Sequence, residues 1–324
     1  MRKTATVQTL AALLLATILT GCSIRQAAFN SVSDMLAPPP SPPSARAKAD
    51  GVDPMIALTG ENDPELVRDF FPTALKLYEI MHLQNPDHYG LAVMTGQLYV
   101  TYANAFVQTP AEQLPSDRYS EQNEAYLRAG NFYVRGRDYA LDGLDRTYRG
   151  FRISLFGPDQ DRRAAALARC RAADAAALYW AGAGALGAFS LDPMNSDLLA
   201  FVPGSLAMLE RAAVLDPAFG DGAIFEILAS FYASAPEGLG GNREKARAAW
   251  EEALRLSGGK SPSVYILYAR TFCIPSQDSA GFDEAIAEAL AIDPDSRPST
   301  RLASVIAQRQ ARWLAEHKAD YILE

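Results

Sequence analysis

From residue 61 onward, apolar positions recur at intervals of three and four rather than two. Ala74, Tyr78 and Met81 are followed by Pro86, and the same spacing returns at Ser205, Leu209, Ala212 and Pro217. It returns again at Phe282, Ile286, Ala289 and Pro294, and once more at Ala246, Trp250 and Ala253, where SGGKSP stands in place of the proline. Such intervals align side chains on one stripe of a helix, whereas a half-buried strand would alternate. Alternating β-branched runs are missing, so no segment predicts a strand. Asn62-Asp63-Pro64-Glu65 predicts a helix start, with a capping residue, proline in the first turn and an acid near the positive end of the helix. The expectation is an all-α domain over residues 61–324.

These four copies match the second half of a tetratricopeptide repeat, A-x3-F-x2-A-x4-P. Its first half, W-x2-L-G-x2-Y, is resembled by Phe225-x2-Leu228-Ala229-x2-Tyr232 and by Ala92-x2-Thr95-Gly96-x2-Tyr99. Ile266-x2-Ala269-Arg270-x2-Cys273 fits more loosely, and Trp180-x2-Ala183-Gly184-x2-Gly187 completes the set. The expected architecture is therefore a compact solenoid of helical hairpins. Gly96, Trp180, Gly184, Gly187 and Ala229 would sit where paired helices pack most closely. The last copy also spells G-x-G-x-x-G, which binds a dinucleotide only where a strand ends and a helix begins. Upstream lies AAALARCRAADAAALYW, which reads as an Ala-rich helix, so these glycines read as packing residues. SLDPMNSDLLAFV, SAPEGLGGNR and PSQDSAG are expected to lengthen turns, and residues 109–162 to form an irregular excursion. Inserted loops on a solenoid commonly carry recognition.

The N-terminus has a different pattern. Arg2 and Lys3 precede an apolar run from Leu10 to Leu19, too short to span a bilayer, so residues 1–21 read as a secretory signal. Leu19-Thr20-Gly21-Cys22 resembles the bacterial lipobox, which implies lipid on Cys22 and a mature chain that starts there. With Ser23 following, the resemblance implies the periplasmic face of the outer membrane. Residues 22–60 are expected to hold a short amphipathic helix in SIRQAAFNSVSDMLA, then a proline-rich tether in PPPSPPSARAKADG.

Composition narrows the chemistry. Of 324 residues, 49% are hydrophobic and 21% charged, as in an ordinary globular protein. Removing the signal takes away two basic residues and no acidic one, so the net charge moves from −8 to −10. That balance argues against nucleic acid, which needs a basic footprint. His82, His88 and His317 have no neighbours at ligand spacing, and neither a phosphate-binding loop nor a G-x-S-x-G nucleophile turn is complete. No catalysis, metal or cofactor is expected. Cys170 and Cys273 lie in apolar helical context and read as small buried hydrophobes, although a secreted chain permits their pairing. An aromatic and Arg-rich set remains in Tyr99, Tyr102, Phe106, Tyr126, Arg128, Tyr133, Arg135 and Tyr139. Two readings stand: a tyrosine-rich core edged by Arg, or a groove that takes an apolar body with an acidic group.

The chain resembles the TRAP-transporter-associated tetratricopeptide lipoproteins, the TatT family, from about Asp63 to Leu323. The resemblance rests on the order of NDPELVRDFFPTALKLYE, YLRAGNFYVRGRDYALDGL, LYWAGAGALGAF, EGLGGNREKARAAWEEALRLS and ALAIDPDSRPSTRLASVIAQRQARWL. It implies helical repeat hairpins, a homotrimer with a channel through each subunit, no catalysis, and a periplasmic TRAP solute-binding protein as partner. The implied role is a membrane-tethered accessory that docks that protein and shelters its small hydrophobic or acidic ligand. The alternative is a scaffold for envelope assembly with no small ligand.

Overall fold

A computed structural model describes residues 29–38 and 55–323. Cys22 and most of the proline-rich segment lie outside the described residues. Every regular element among the described residues is helical, as the three-and-four spacing predicts. The main helices are α1 (Pro64–Gln84), α2 (Tyr89–Tyr102), α3 (Tyr119–Thr147), α4 (Phe151–Phe156), α5 (Gln160–Ala168) and α6 (Ala175–Leu191). They continue as α7 (Ser196–Leu215), α8 (Ala223–Ser234), α9 (Arg243–Ser257), α10 (Pro262–Tyr268), α11 (Ser279–Ala291) and α12 (Arg301–Glu316). Consecutive helices pair as hairpins, α6 with α7, α8 with α9 and α10 with α11, while α3 is packed between α2 and α6.

Local chemistry explains the starts. Asp63 caps α1 by accepting from the amides of Glu65 and Leu66, with Pro64 in the first turn. Asn195, Asn242 and Asp278 do the same for α7, α9 and α11. Each supplies an acceptor to amides that have no partner inside the helix.

Close helix approach explains the glycines. A Cβ at Gly96 would lie 2.7 Å from the Gly136 carbonyl oxygen, and one at Gly184 would lie 2.8 Å from that of Tyr133. At Gly187 it would enter the Tyr133 ring, at 2.6 Å, whereas at Gly182 it would meet Leu209 at 2.8 Å. The glycines of α6 thus face two neighbours, α3 on one side and α7 on the other. Trp180 packs edge-on to Tyr179, with centroids 4.7 Å apart, and Ala229 is fully buried in α8.

Three sequence expectations are corrected. The excursion at 109–162 is mostly regular, since α3 is a single 29-residue helix. Gly130 and Gly136 weaken its local helical signal, but Gly136 is where α2 comes closest, so tertiary packing sustains the helix. Most of SLDPMNSDLLAFV is helix too, because α7 starts at Ser196 behind its Asn195 cap. The Ala-rich run upstream of α6 is broken between Ala168 and Ala175. Asp174 holds the break: its buried carboxylate accepts from the Arg171 amide and from the hydroxyls of Tyr89 and Tyr148.

Two pieces of the stretch before residue 61 also pack on the body. Residues 29–36 are helical, and Tyr78 donates to the Leu36 carbonyl at 2.9 Å while Asp34 meets His88. Ile56–Thr59 lies beside the turn that leads into α12, where Arg301 donates to the Gly60 carbonyl. Cys170 and Cys273 are both free and buried, in separate apolar clusters.

Candidate functional site

The eight residues of the aromatic set divide between two sides of α3. Arg128, Phe132, Arg135 and Tyr139 stand on one side at helical intervals, while Tyr126 and Tyr133 stand on the other.

On the first side the rings form a ladder. Tyr139 stacks on Tyr99 with centroids 5.9 Å apart, and Tyr99 meets Phe132 at 5.8 Å. Phe132 meets Tyr102 at 5.5 Å, and Phe71 of α1 lies 5.6 Å from Tyr102 and 5.3 Å from Phe106. Tyr99 is wholly buried and Tyr102 nearly so, which makes the ladder a filled core. Arg128 covers it from outside, 5.2 Å above Phe132, and donates to the Tyr102 hydroxyl. Arg135 lies 5.9 Å above Tyr99. Both guanidiniums border a shallow concavity of about 680 Å³ along α3 from Glu124 to Arg135.

The other side of α3 faces inward and is polar. There α2 runs into a π-helical turn, Ala103–Gln108, and a second such turn, Ala269–Cys273, follows α10. An extra residue per turn re-aims side chains, and such turns are frequent at functional sites. Asn104 donates to the Tyr133 hydroxyl at 3.1 Å, and that hydroxyl donates to Gln108 at 2.6 Å. Gln108 in turn donates to Glu112 at 2.8 Å, and Arg270 of the second turn donates to Glu112 at 3.0 Å. Glu112 and Arg270, 158 residues apart, thereby join the segment between α2 and α3 to the α10–α11 hairpin.

Beyond Tyr133 the wall continues with Tyr179 of α6, which feels both Tyr133 and Glu226 electrostatically. Burial pushes the Tyr179 hydroxyl well above the usual tyrosine range. Glu226, in the first turn of α8, accepts from the Ser263 hydroxyl at 3.0 Å. Burial pushes its carboxyl up to about 7, against the weaker lowering by Ser263. Glu226 is half-buried and is tied to α10 through Ser263.

Sequence reasoning reaches Tyr126 and Tyr133 of this wall but not Asn104, Gln108, Glu112, Tyr179, Glu226 or Arg270. The one sign visible in the sequence is Glu226, a single acid inside the apolar run Ala223-Ile224-Phe225-Glu226-Ile227-Leu228. The others come from segments far apart in sequence, and π-helical turns have no simple residue signature.

Comparison with known proteins identifies a family. The profile of the TRAP transporter T-component family matches residues 60–322. A Treponema pallidum (strain Nichols) protein described as uncharacterized is 45% identical over 304 residues, covering 94% of each chain. The match extends through every helix from α1 to α12, including the π-helical turns and the inner wall. The chain therefore belongs to the TRAP transporter T-component family and serves TRAP-type transport as an accessory component associated with the membrane on its periplasmic side.

Proposed function

We propose that this chain docks the periplasmic solute-binding protein of a TRAP system and shelters that protein's small hydrophobic or acidic ligand. Lipid on Cys22 tethers it to the outer membrane, and the folded part works in the periplasm without catalysis. The observation that carries this reading is the inner side of α3, where Asn104, Tyr133, Gln108, Glu112 and Arg270 form one hydrogen-bonded chain across segments distant in sequence.

The reading includes a homotrimer, and α1 supports self-association. Leu66, Phe70, Leu77, Ile80 and Leu83 are all exposed on one side of it, with Leu83 at 72%. Leu66, Phe70, Thr73, Leu77 and Ile80 alternate intervals of four and three, the period at which one helix seats against another. An apolar stripe of that length is unusual on a surface that stays in water.

The scaffold reading draws on a different observation. Most of the aromatic set is a filled, buried ladder, so the outer side of α3 offers the Arg128 and Arg135 guanidiniums and a shallow concavity to a protein surface rather than a deep pocket to a ligand. Affinity purification of the tagged lipoprotein from gently solubilised membranes, with mass spectrometry, separates the two. A stoichiometric periplasmic solute-binding protein is the expected result; envelope-assembly factors with no binding protein would favour the scaffold.

A further inference from the structure

Residues 29–38 are held on the body at one corner, where α1 ends and α2 begins. Tyr78 donates to the Leu36 carbonyl at 2.9 Å, and Asn85 donates to the Asn30 side chain at 2.7 Å. His88 accepts the Leu91 amide on its Nδ1, so its Nε2 carries the proton that Asp34 accepts at 2.9 Å. Ser33 and Ala37 are buried, and Gly90 makes room for the Ala37 carbonyl, since a Cβ there would lie 2.3 Å from that oxygen.

This docking sets how far the domain can stand from its N-terminal anchor. Phe29 follows Cys22 by seven residues. Fully extended, that stretch reaches at most about 25 Å. Residues 39–54 add nothing to the reach, because the chain is held before them at Leu36 and Ala37 and after them at Ile56–Thr59. Without the docked piece, the 33 residues from Cys22 to Met55 would extend to roughly 110 Å.

The same corner has a surface of fitting chemistry. Tyr89 of α2 shares the buried Asp174 carboxylate with Tyr148, which brings exposed Arg149, Arg169 and Arg171 to this end of the molecule. Arg169 lies 5.2 Å above the Tyr148 ring. The acids nearby are engaged, Asp34 by His88, Asp87 by Arg146 and Asp145 by the Arg152 amide. Three arginines thus face solvent in a chain whose net charge is −8, and Val32 and Met35 of the docked helix are exposed as well. Basic and apolar side chains around a short stem suit the headgroup layer of a bilayer that contains anionic lipid.

We propose that the α1–α2 corner faces the lipid bilayer that bears the Cys22 acyl chains, with the docked helix as a short, fixed stem. The proposal rests on the lipid tether proposed above and adds which end of the domain meets the membrane. Residues 39–54 then lie beyond the held point and do not act as a spacer. The far end is defined by α3: Arg146 meets Asp87 at the corner, so Ser120 in the first turn stands about 40 Å away along the helix.

The test places a fluorophore at Gln84→Cys or at Ser120→Cys, both exposed positions, while Cys170 and Cys273 stay buried. The full-length lipoprotein is reconstituted in vesicles of phosphatidylethanolamine and phosphatidylglycerol that carry a rhodamine headgroup as energy-transfer acceptor. Transfer should be about twofold or more higher from Gln84 than from Ser120, given their separation along α3. A Gly/Ser linker of about twenty residues, averaging roughly 25 Å end to end, is then inserted after Ser23 or after Pro43. Neither insertion touches the described fold. After Ser23 it should lower transfer from Gln84 about twofold, whereas after Pro43 it should change neither label. A free spacer predicts equal effects, since both insertions would then lie in series between lipid and domain. Equal effects of the two insertions, or equal transfer from the two labels, would overturn the proposal. The mass of the N-terminal peptide reports the lipid separately. An unmodified Cys22 would sink the tether and this placement together, whereas a lipidated Cys22 with equal transfer sinks the placement alone.

Discussion

Gly184 and Gly130 are both helix-interior glycines, and their surroundings set opposite expectations. At Gly184 a methyl group would press on the α3 backbone, 2.8 Å from the Tyr133 oxygen and 2.9 Å from the Arg137 nitrogen, and neither can step aside. Gly184→Ala should cost roughly 1–3 kcal/mol in urea denaturation. Gly130 has open space around it, so Gly130→Ala should stabilise by about 0.5–1 kcal/mol through helix propensity alone. Glu226 gives a residue-scale prediction with a defined pH sign. In the unfolded chain it ionises near pH about 4.3, whereas burial raises it to about 7 in the fold. The protonated form therefore favours the fold, and its contribution is complete below the unfolded value. It declines as pH rises through the window between the two, by less than about 4 kcal/mol, and stays lost above the folded value. Glu226→Gln should remove this slope, so the variant should gain on the wild type between pH 4.5 and 8 in matched urea titrations.

At the scale of elements, two features lend themselves to measurement. The exposed stripe of α1 should hold copies together, so Leu77→Glu with Ile80→Glu should lower the assembly state in sedimentation velocity while helical content is kept. Both positions point away from the buried face, which includes Val67, Phe71, Ala74 and Tyr78. The break between α5 and α6 depends on Asp174. Asp174→Ala would leave the buried hydroxyls of Tyr89 and Tyr148 without their acceptor and should cost about 2–4 kcal/mol by thermal or urea unfolding. The same site shows why the sequence reads there as one helix. Alanine-rich composition favours continuity, and the interruption is imposed by two tyrosines from elsewhere in the chain.

For the whole molecule, the decisive contact joins ends distant in sequence. Glu112 and Arg270 are half-buried, so their pair should contribute on the order of 1 kcal/mol to global stability. Its local effect should be larger. Arg270→Met should raise hydrogen exchange across both π-helical turns with little change in urea midpoint, and exchanging the two charges, Glu112→Arg with Arg270→Glu, should restore protection. Equal protection in all three proteins would show that apolar packing closes the molecule unaided.

The sequence by itself determined the helices and much of their pairing. Capping at Asp63, Asn195, Asn242 and Asp278, the three-and-four spacing of apolar positions, and the glycines of α6 act over a few residues or along one helix face, so they are legible locally. It also brought the chain to its family through the order of its motifs. What only the tertiary structure decided is which way each face looks. Tyr99 and Tyr133 carry the same side chain, yet one fills an aromatic ladder on the outer side of α3 and the other joins the inner wall. The length of α3 across two glycines, the docking of residues 29–36, and the convergence of Glu112 with Arg270 belong to the same class. Each depends on burial and on contacts between distant segments, and in one dimension a buried acid and a solvated one are the same letter.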